Sequence, residues 1–203
     1  MRLVLGFQQL RSLFIKTAST PNPAFLKFIP GKPVLEEGTL DIPALRYASV
    51  SPLARNLFQI EGVQRIFYGK DYISVGKTEA ADWTVLKPQV FAMIMDHYTS
   101  GQPLLTDTPP AEDTKVLPTD SEAVAVIKEI LEGRVRPFVQ EDGGDIRYVD
   151  FEEETGTVTL EMRGSCAGCP SSSITLKNGI EKMLKHYVPE VKSVESVDFE
   201  DKN

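Results

Sequence analysis

The only two cysteines among the 203 residues are Cys166 and Cys169, set three positions apart in "RGSCAGCPSS". A C-x-x-C pair of this kind has three chemical uses: a disulfide or redox couple, half of a tetrahedral zinc site, or half of an iron–sulfur site. A plainer role stands beside them, because free cysteines also serve as small buried hydrophobes. The surrounding Gly, Ser and Pro weigh against that role, since core positions are rarely flanked this way.

The local pattern says what the pair needs. A strand-like run, "TVTLEMRG", leads into it, and a helical pattern begins at Pro170, a residue suited to the first helical position. Amide groups at a helix start lack partners and the macrodipole there is positive, which favours thiolate over thiol. Gly164 and Gly168 are expected to let backbone N–H groups approach sulfur. In a thioredoxin-like fold the motif lies early and most of the sheet follows it, whereas here only 34 residues follow Cys169. Zinc and a [4Fe–4S] cluster each need four ligands, and one chain offers two thiolates. His186 stands at the far end of the helix, roughly 24 Å away along its axis. A metal site built on this loop therefore has to be shared, and a two-fold dimer supplies four sulfurs.

The elements around the loop read as α-β-β-α-β. Thr119 and Glu122 form a capping-box pattern, followed by an apolar stripe of Val124, Ile127, Leu131, Val135 and Phe138, with Pro137 ending or bending the helix. "QEDGGD" is a turn whose paired glycines permit positive φ. Its Glu141, Asp142 and Asp145 allow a metal cluster, but turn residues with solvated charge are the better reading. Strands "DIRYVDFE" and "TVTLEMRG" join across "EETG". The helix after the loop carries Leu176, Ile180, Met183, Leu184 and Tyr187 on its apolar side, and "VKSVESVDFE" closes as a strand. Such an order makes an α+β sandwich with helices on one face of one sheet.

Upstream, residues 101–119 hold four prolines and no period, the mark of a linker. Before it, residues 15–100 read as a second small domain. It opens with a strand in "SLFIKTAST". Ser51 and Pro52 then start a helix with Leu53, Leu57 and Ile60 on one face. A hairpin turns at "GKD", and a final helix carries Trp83, Leu86, Val90, Ile94 and Tyr98. Pro88 implies that this helix kinks or starts later than Asp82. His97 reads as a capping or solvated residue. The chain is thus expected to be α+β, two small α/β-sandwich domains joined by a Pro-rich linker, the second spanning 120–203.

"GSCAGCPSSSITLKNGIEKML" and "VRPFVQEDGGDI" resemble the NifU-like C-terminal domain of the Nfu family of iron–sulfur cluster scaffolds. "TPNPAFLKFIPGKPV", "SPLARNLFQIEGV" and "DWTVLKPQVFAMIMDHY" are similar to that family's N-terminal domain. The resemblance implies that Cys166 and Cys169 ligate a [4Fe–4S] cluster bridging two subunits. It also implies a carrier rather than an enzyme, fed by upstream assembly factors and delivering to apo-clients such as lipoyl synthase and aconitase-type enzymes. A thiol–disulfide oxidoreductase using the same pair and a zinc-bridged dimer are the alternatives.

The first carboxylate is Glu36, and Arg2, Arg11 and Lys16 precede it. Residues 1–14 therefore read as a targeting leader or its remnant, and the mitochondrial matrix as the destination. A net charge of −7 argues against a nucleic-acid partner. No apolar run is long enough for membrane insertion as a helix.

Overall fold

The computed structural model describes residues 14–106, 113–167 and 170–197. The leader reading, Phe14 apart, lies outside them, as do Gly168 and Cys169. Two sheets, each with its own apolar core, make up the fold.

The first sheet has five strands, β1 (Lys16–Ser19), β2 (Phe25–Ile29), β3 (Leu40–Ile42), β4 (Val63–Tyr68) and β5 (Ile73–Lys77), in the order β1-β2-β5-β4-β3. All neighbours are antiparallel. Helices α1 (Pro52–Leu57) and α2 (Trp83–Ser100) cover one face. The Ser51 hydroxyl accepts from the Ala54 amide at 3.2 Å and Pro52 opens α1, as the sequence requires. Leu53, Leu57 and Ile60 bury against Leu86, Val90 and Ile94 of α2 and against Phe28, Ile66 and Val75 of the sheet. Burying a side chain of this size contributes about 1.5–3 kcal/mol relative to leaving it in water. Asp82 caps α2, so Pro88 lies inside the helix rather than delaying its start. His97 is 5% exposed and its Nδ1 has no hydrogen-bond partner, which overturns the solvated reading. Burial lowers its pKa.

The second unit runs α3 (Glu122–Ile130), a π turn (Leu131–Val135), α4 (Arg136–Glu141), β6 (Gly144–Glu152), β7 (Thr157–Gly164), α5 (Pro170–Tyr187) and β8 (Ser193–Val197). Strand β7 lies between antiparallel β6 and parallel β8, with α5 as the crossover. The cap of α3 is Ser121, whose hydroxyl accepts from the Val124 amide at 3.4 Å, in place of the expected Thr119–Glu122 box. Pro137 does not end the helical run. The π turn ahead of it hydrogen-bonds Arg136 N–H to Leu131 O and the run continues to Glu141. That wider turn advances the buried stripe by one residue. Val139 takes the core position expected of Phe138, and Phe138 is left 61% exposed. Tyr187 likewise lies outside the core, 45% exposed.

The segment read as a linker is fastened at both ends. Thr106 N–H donates to Val50 O, and Leu104 and Leu105 pack on the first core. On the other side, Asp113 accepts from the Tyr148 amide and pairs with Arg136.

Candidate functional site

The cysteine loop is the connection from β7 to α5. Gly164 closes the strand at φ +56°, a conformation that favours glycine. Two tight backbone bonds follow, Cys166 N to Arg163 O at 3.2 Å and Ala167 N to Gly164 O at 3.1 Å. The Ser165 hydroxyl donates to Asp142 O at 2.7 Å, tying the loop to the turn before β6. Within that turn Gly143 has φ +86°, as its sequence predicts. Gly144 serves a different purpose. A β-carbon there would stand 2.6 Å from Cys166 Sγ, so its missing side chain is the space the sulfur occupies. The expected role of Gly164, backbone access to sulfur, is corrected in the same way. A β-carbon on Gly164 would meet Phe67 Cγ and Gly143 O at 2.9 Å, and its amide donates to Asp41 Oδ1 at 3.4 Å.

Cys166 is 6% exposed. Burial first, then the carboxylates of Asp145 and Asp142, push its pKa up to about 12, against a lowering by the Ser165 hydrogen bond and Arg65. The sequence led us to expect a thiolate poised by a helix start. Desolvation and two nearby carboxylates instead favour the neutral thiol. One side of it borders a groove of about 640 Å3, walled by Phe138, Leu176, Ile180 and Met183 and by Pro21 of the first unit.

The acidic residues of the turn do not act as solvated charge throughout. Asp145 is buried, accepting from Arg136 Nε at 3.1 Å, from its neighbour amide Ile146 at 2.8 Å and from the Thr39 hydroxyl. Arg136 also reaches Asp113, Glu132 and the carbonyl of Ile146, so one guanidinium joins the linker, α4 and β6. Among the described residues no three His, Cys, Asp or Glu side chains are placed to hold a metal ion. His186 at the end of α5 remains apart from the loop, as the helix length dictates.

What the sequence missed is the first unit's part in this site. Asn22 Nδ2 donates to Ser165 O at 3.2 Å and to Ala167 O at 3.3 Å, the carbonyls on either side of Cys166. Its Oδ1 accepts from Ala24 N at 3.0 Å, an Asx turn that holds the side chain in place. The signal was present in "TPNP": a turn-forming Asn between two prolines. Nothing in the spacing said which carbonyls it would find.

A strand-to-helix loop on a three-stranded sheet backed by helices carries Cys166, and the sequence sets Cys169 three positions further on. A family model described as "Scaffold protein Nfu/NifU N terminal" matches residues 15–101, and one described as "NifU-like domain" matches residues 127–195. The chain is 57% identical over 190 residues to the mitochondrial NifU-like protein 5 of Arabidopsis thaliana, covering 93% of this chain and 69% of that one. It is 53% identical over 192 residues to the mitochondrial NFU1 iron-sulfur cluster scaffold homolog of Drosophila persimilis, covering 94% and 67%. A NifU-like protein of Saccharomyces cerevisiae, solved by NMR, aligns with a TM-score of 0.45 at 23% identity over 53% of this chain and 97% of that one. The chain belongs to the Nfu/NifU-like family of iron–sulfur cluster scaffold homologues.

Proposed function

We propose that this protein is a mitochondrial carrier that binds a [4Fe–4S] cluster between two chains and hands it to apo-proteins. Cys166 and Cys169 supply two thiolates from each chain. The observation that carries the reading is the loop itself: a cysteine pair at a strand-to-helix turn, in a chain of this family, with no other thiol available. Its relatives' names, which call them mitochondrial, and the basic, acid-free first residues support the location.

The cluster is cargo, and the chemistry asked of the protein is ligand exchange rather than turnover. Cys166 must lose its proton to bind iron, so loading releases protons and needs the thiol brought out of its buried setting. Incoming client thiolates then displace the carrier's sulfurs one at a time. Thiol–disulfide exchange needs an accessible thiolate as well, so it is the family match, and not the burial of Cys166, that favours the carrier reading.

Anaerobic reconstitution with iron and sulfide, followed by Mössbauer spectroscopy with iron and subunit counts on one sample, tests the reading. One four-iron cluster per two chains is expected. Changing either Cys166 or Cys169 to Ser removes two of four sulfurs and should abolish loading while the apo fold survives. Full loading of the Cys166→Ser protein would falsify the shared site.

A further inference from the structure

One rung of the five-stranded sheet faces the second unit. Register places Lys27 opposite Ser74, Ser74 opposite Phe67, and Phe67 opposite Asp41, a straight row across β2, β5, β4 and β3. Side chains alternate faces along a strand, so this row points away from α1 and α2. All four of its members meet the cysteine loop or the turn beneath it. Lys27 Nζ donates to Glu141 O at 2.9 Å and the Ser74 hydroxyl to Gly143 O at 2.9 Å. Phe67 lies where Gly164 has no side chain, and Asp41 accepts from the Gly164 amide. Asn22 adds its clamp on the carbonyls flanking Cys166.

We propose that the N-terminal unit is a latch on the cysteine loop. Docked, it holds the loop's backbone through Asn22 and the Lys27–Ser74–Phe67–Asp41 row, so that Cys166 stays in its seat against Gly144. Released, it leaves the loop free to meet the loop of a second chain. In this proposal a second copy takes the face of the loop that the sheet holds, so docking and cluster sharing exclude one another. This last step rests on the shared-cluster reading above; the latch itself does not.

The docked state also contains a reason to open. Tyr72, on the hairpin between β4 and β5, is 5% exposed and its hydroxyl has no hydrogen-bond partner. Its ring stacks on Phe67 at 6.2 Å, with Lys27 Nζ 3.9 Å from its centre. Asp145 and Cys166 of the other unit lie near enough to act on its ionisation. A buried hydroxyl without a partner costs free energy that water returns on release. The latch is therefore weaker than its contact surface alone would make it.

The test uses the full-length apo-protein with no iron present. Cys166 is labelled with N-ethylmaleimide, and its rate is read by fragment sequencing of the peptide that holds both cysteines. Asn22→Asp keeps the Oδ1 that Ala24 requires but replaces the two N–H donors with a carboxylate facing two carbonyls. Cys166 should then label about ten- to a hundred-fold faster than in wild type. Tyr72→Phe removes only the unpartnered hydroxyl and should label Cys166 more slowly than wild type. General loss of stability cannot produce that result. Equal rates in wild type and Asn22→Asp, or a Tyr72→Phe rate at or above wild type, overturns the latch. Should Asn22→Asp melt early, Tyr72→Phe alone decides. Reconstitution then separates the two proposals: faster loading of Asn22→Asp supports both, while no loading of any variant counts against the cluster and leaves the labelling result standing.

Discussion

Cys166 Sγ occupies the place that a β-carbon on Gly144 would take, at 2.6 Å, with Arg163 O another 2.7 Å from the same point. The Cys166 sulfur is thus seated by a glycine 22 positions earlier in the chain, at the start of β6. Gly144→Ala is expected to cost about 1–3 kcal/mol of stability, the usual penalty of overpacking. It should also push Cys166 out of its seat. Denaturant unfolding measures the first effect and the thiol labelling rate the second. An unchanged midpoint with unchanged labelling would mean that the loop has room the geometry does not show.

Gly164 gives a separate prediction because its difficulty is conformational. At φ +56° any side chain is strained, and here it also meets Phe67 and Gly143. Gly164→Ala should destabilise by about 1–2 kcal/mol from backbone strain, and by more if Phe67 cannot move aside. Combining it with Phe67→Ala should recover the steric part only. A double-mutant cycle in thermal unfolding measures the coupling.

Arg136 is the hub of a buried ionic network with Asp145 and Asp113. Arg136→Leu removes one side of the network and leaves Asp145 buried without its cation, a change that costs about 3–5 kcal/mol when a buried pair is broken. The linker should loosen at the same time, since Asp113 loses one of its two anchors. Faster proteolysis between residues 106 and 120, together with a lower melting temperature, is the expected pair of results. A lower melting temperature with an unchanged cleavage rate would show that the remaining bonds, from the Tyr148 amide to Asp113, from Thr114 to Glu132 and from Lys128 to Lys115 O and Asp120, hold the linker without Arg136.

His97 supplies a pH test. Burial lowers its pKa below the ordinary histidine value of 6.5, so the folded state prefers the neutral ring. The unfolded chain binds a proton first as pH falls. The contribution is complete above pH 6.5 and is lost as acidity carries the protein down through the folded value. His97→Phe should flatten the fall in stability between pH 7.5 and 5.5, read from urea midpoints. An identical fall in both proteins would mean that His97 is protonated without cost.

The second unit's order of elements was legible because each rests on a local signal. The cysteine loop lies between a strand pattern and a proline start, and Ile180 and Leu184 fall where a period of 3.6 places them. Phe138 falls outside the stripe that periodicity predicts because periodicity assumes an unbroken α-helix, and a π turn shifts the phase by one residue. Asp145 reads as a solvated charge in the sequence because its cation sits nine positions away on another element. Asn22 and Ser74 gave the least warning. Each is a small polar residue whose partner is a backbone carbonyl 69 or more residues away, and no local pattern encodes such a distance.

The two anchors of the linker, Thr106 on the first unit and Asp113 on the second, are seven residues apart. That length of chain reaches at most about 25 Å. Wherever the sheet goes on letting go of the loop, it stays within that radius, at an effective concentration on the order of millimolar. Under the proposed sharing of a cluster, a second chain free in solution has to compete against that local excess, and only iron and sulfide binding two loops together would let it win. The tether would then act as a threshold on assembly: empty chains return to themselves, and pairing is reserved for chains that have cargo to share.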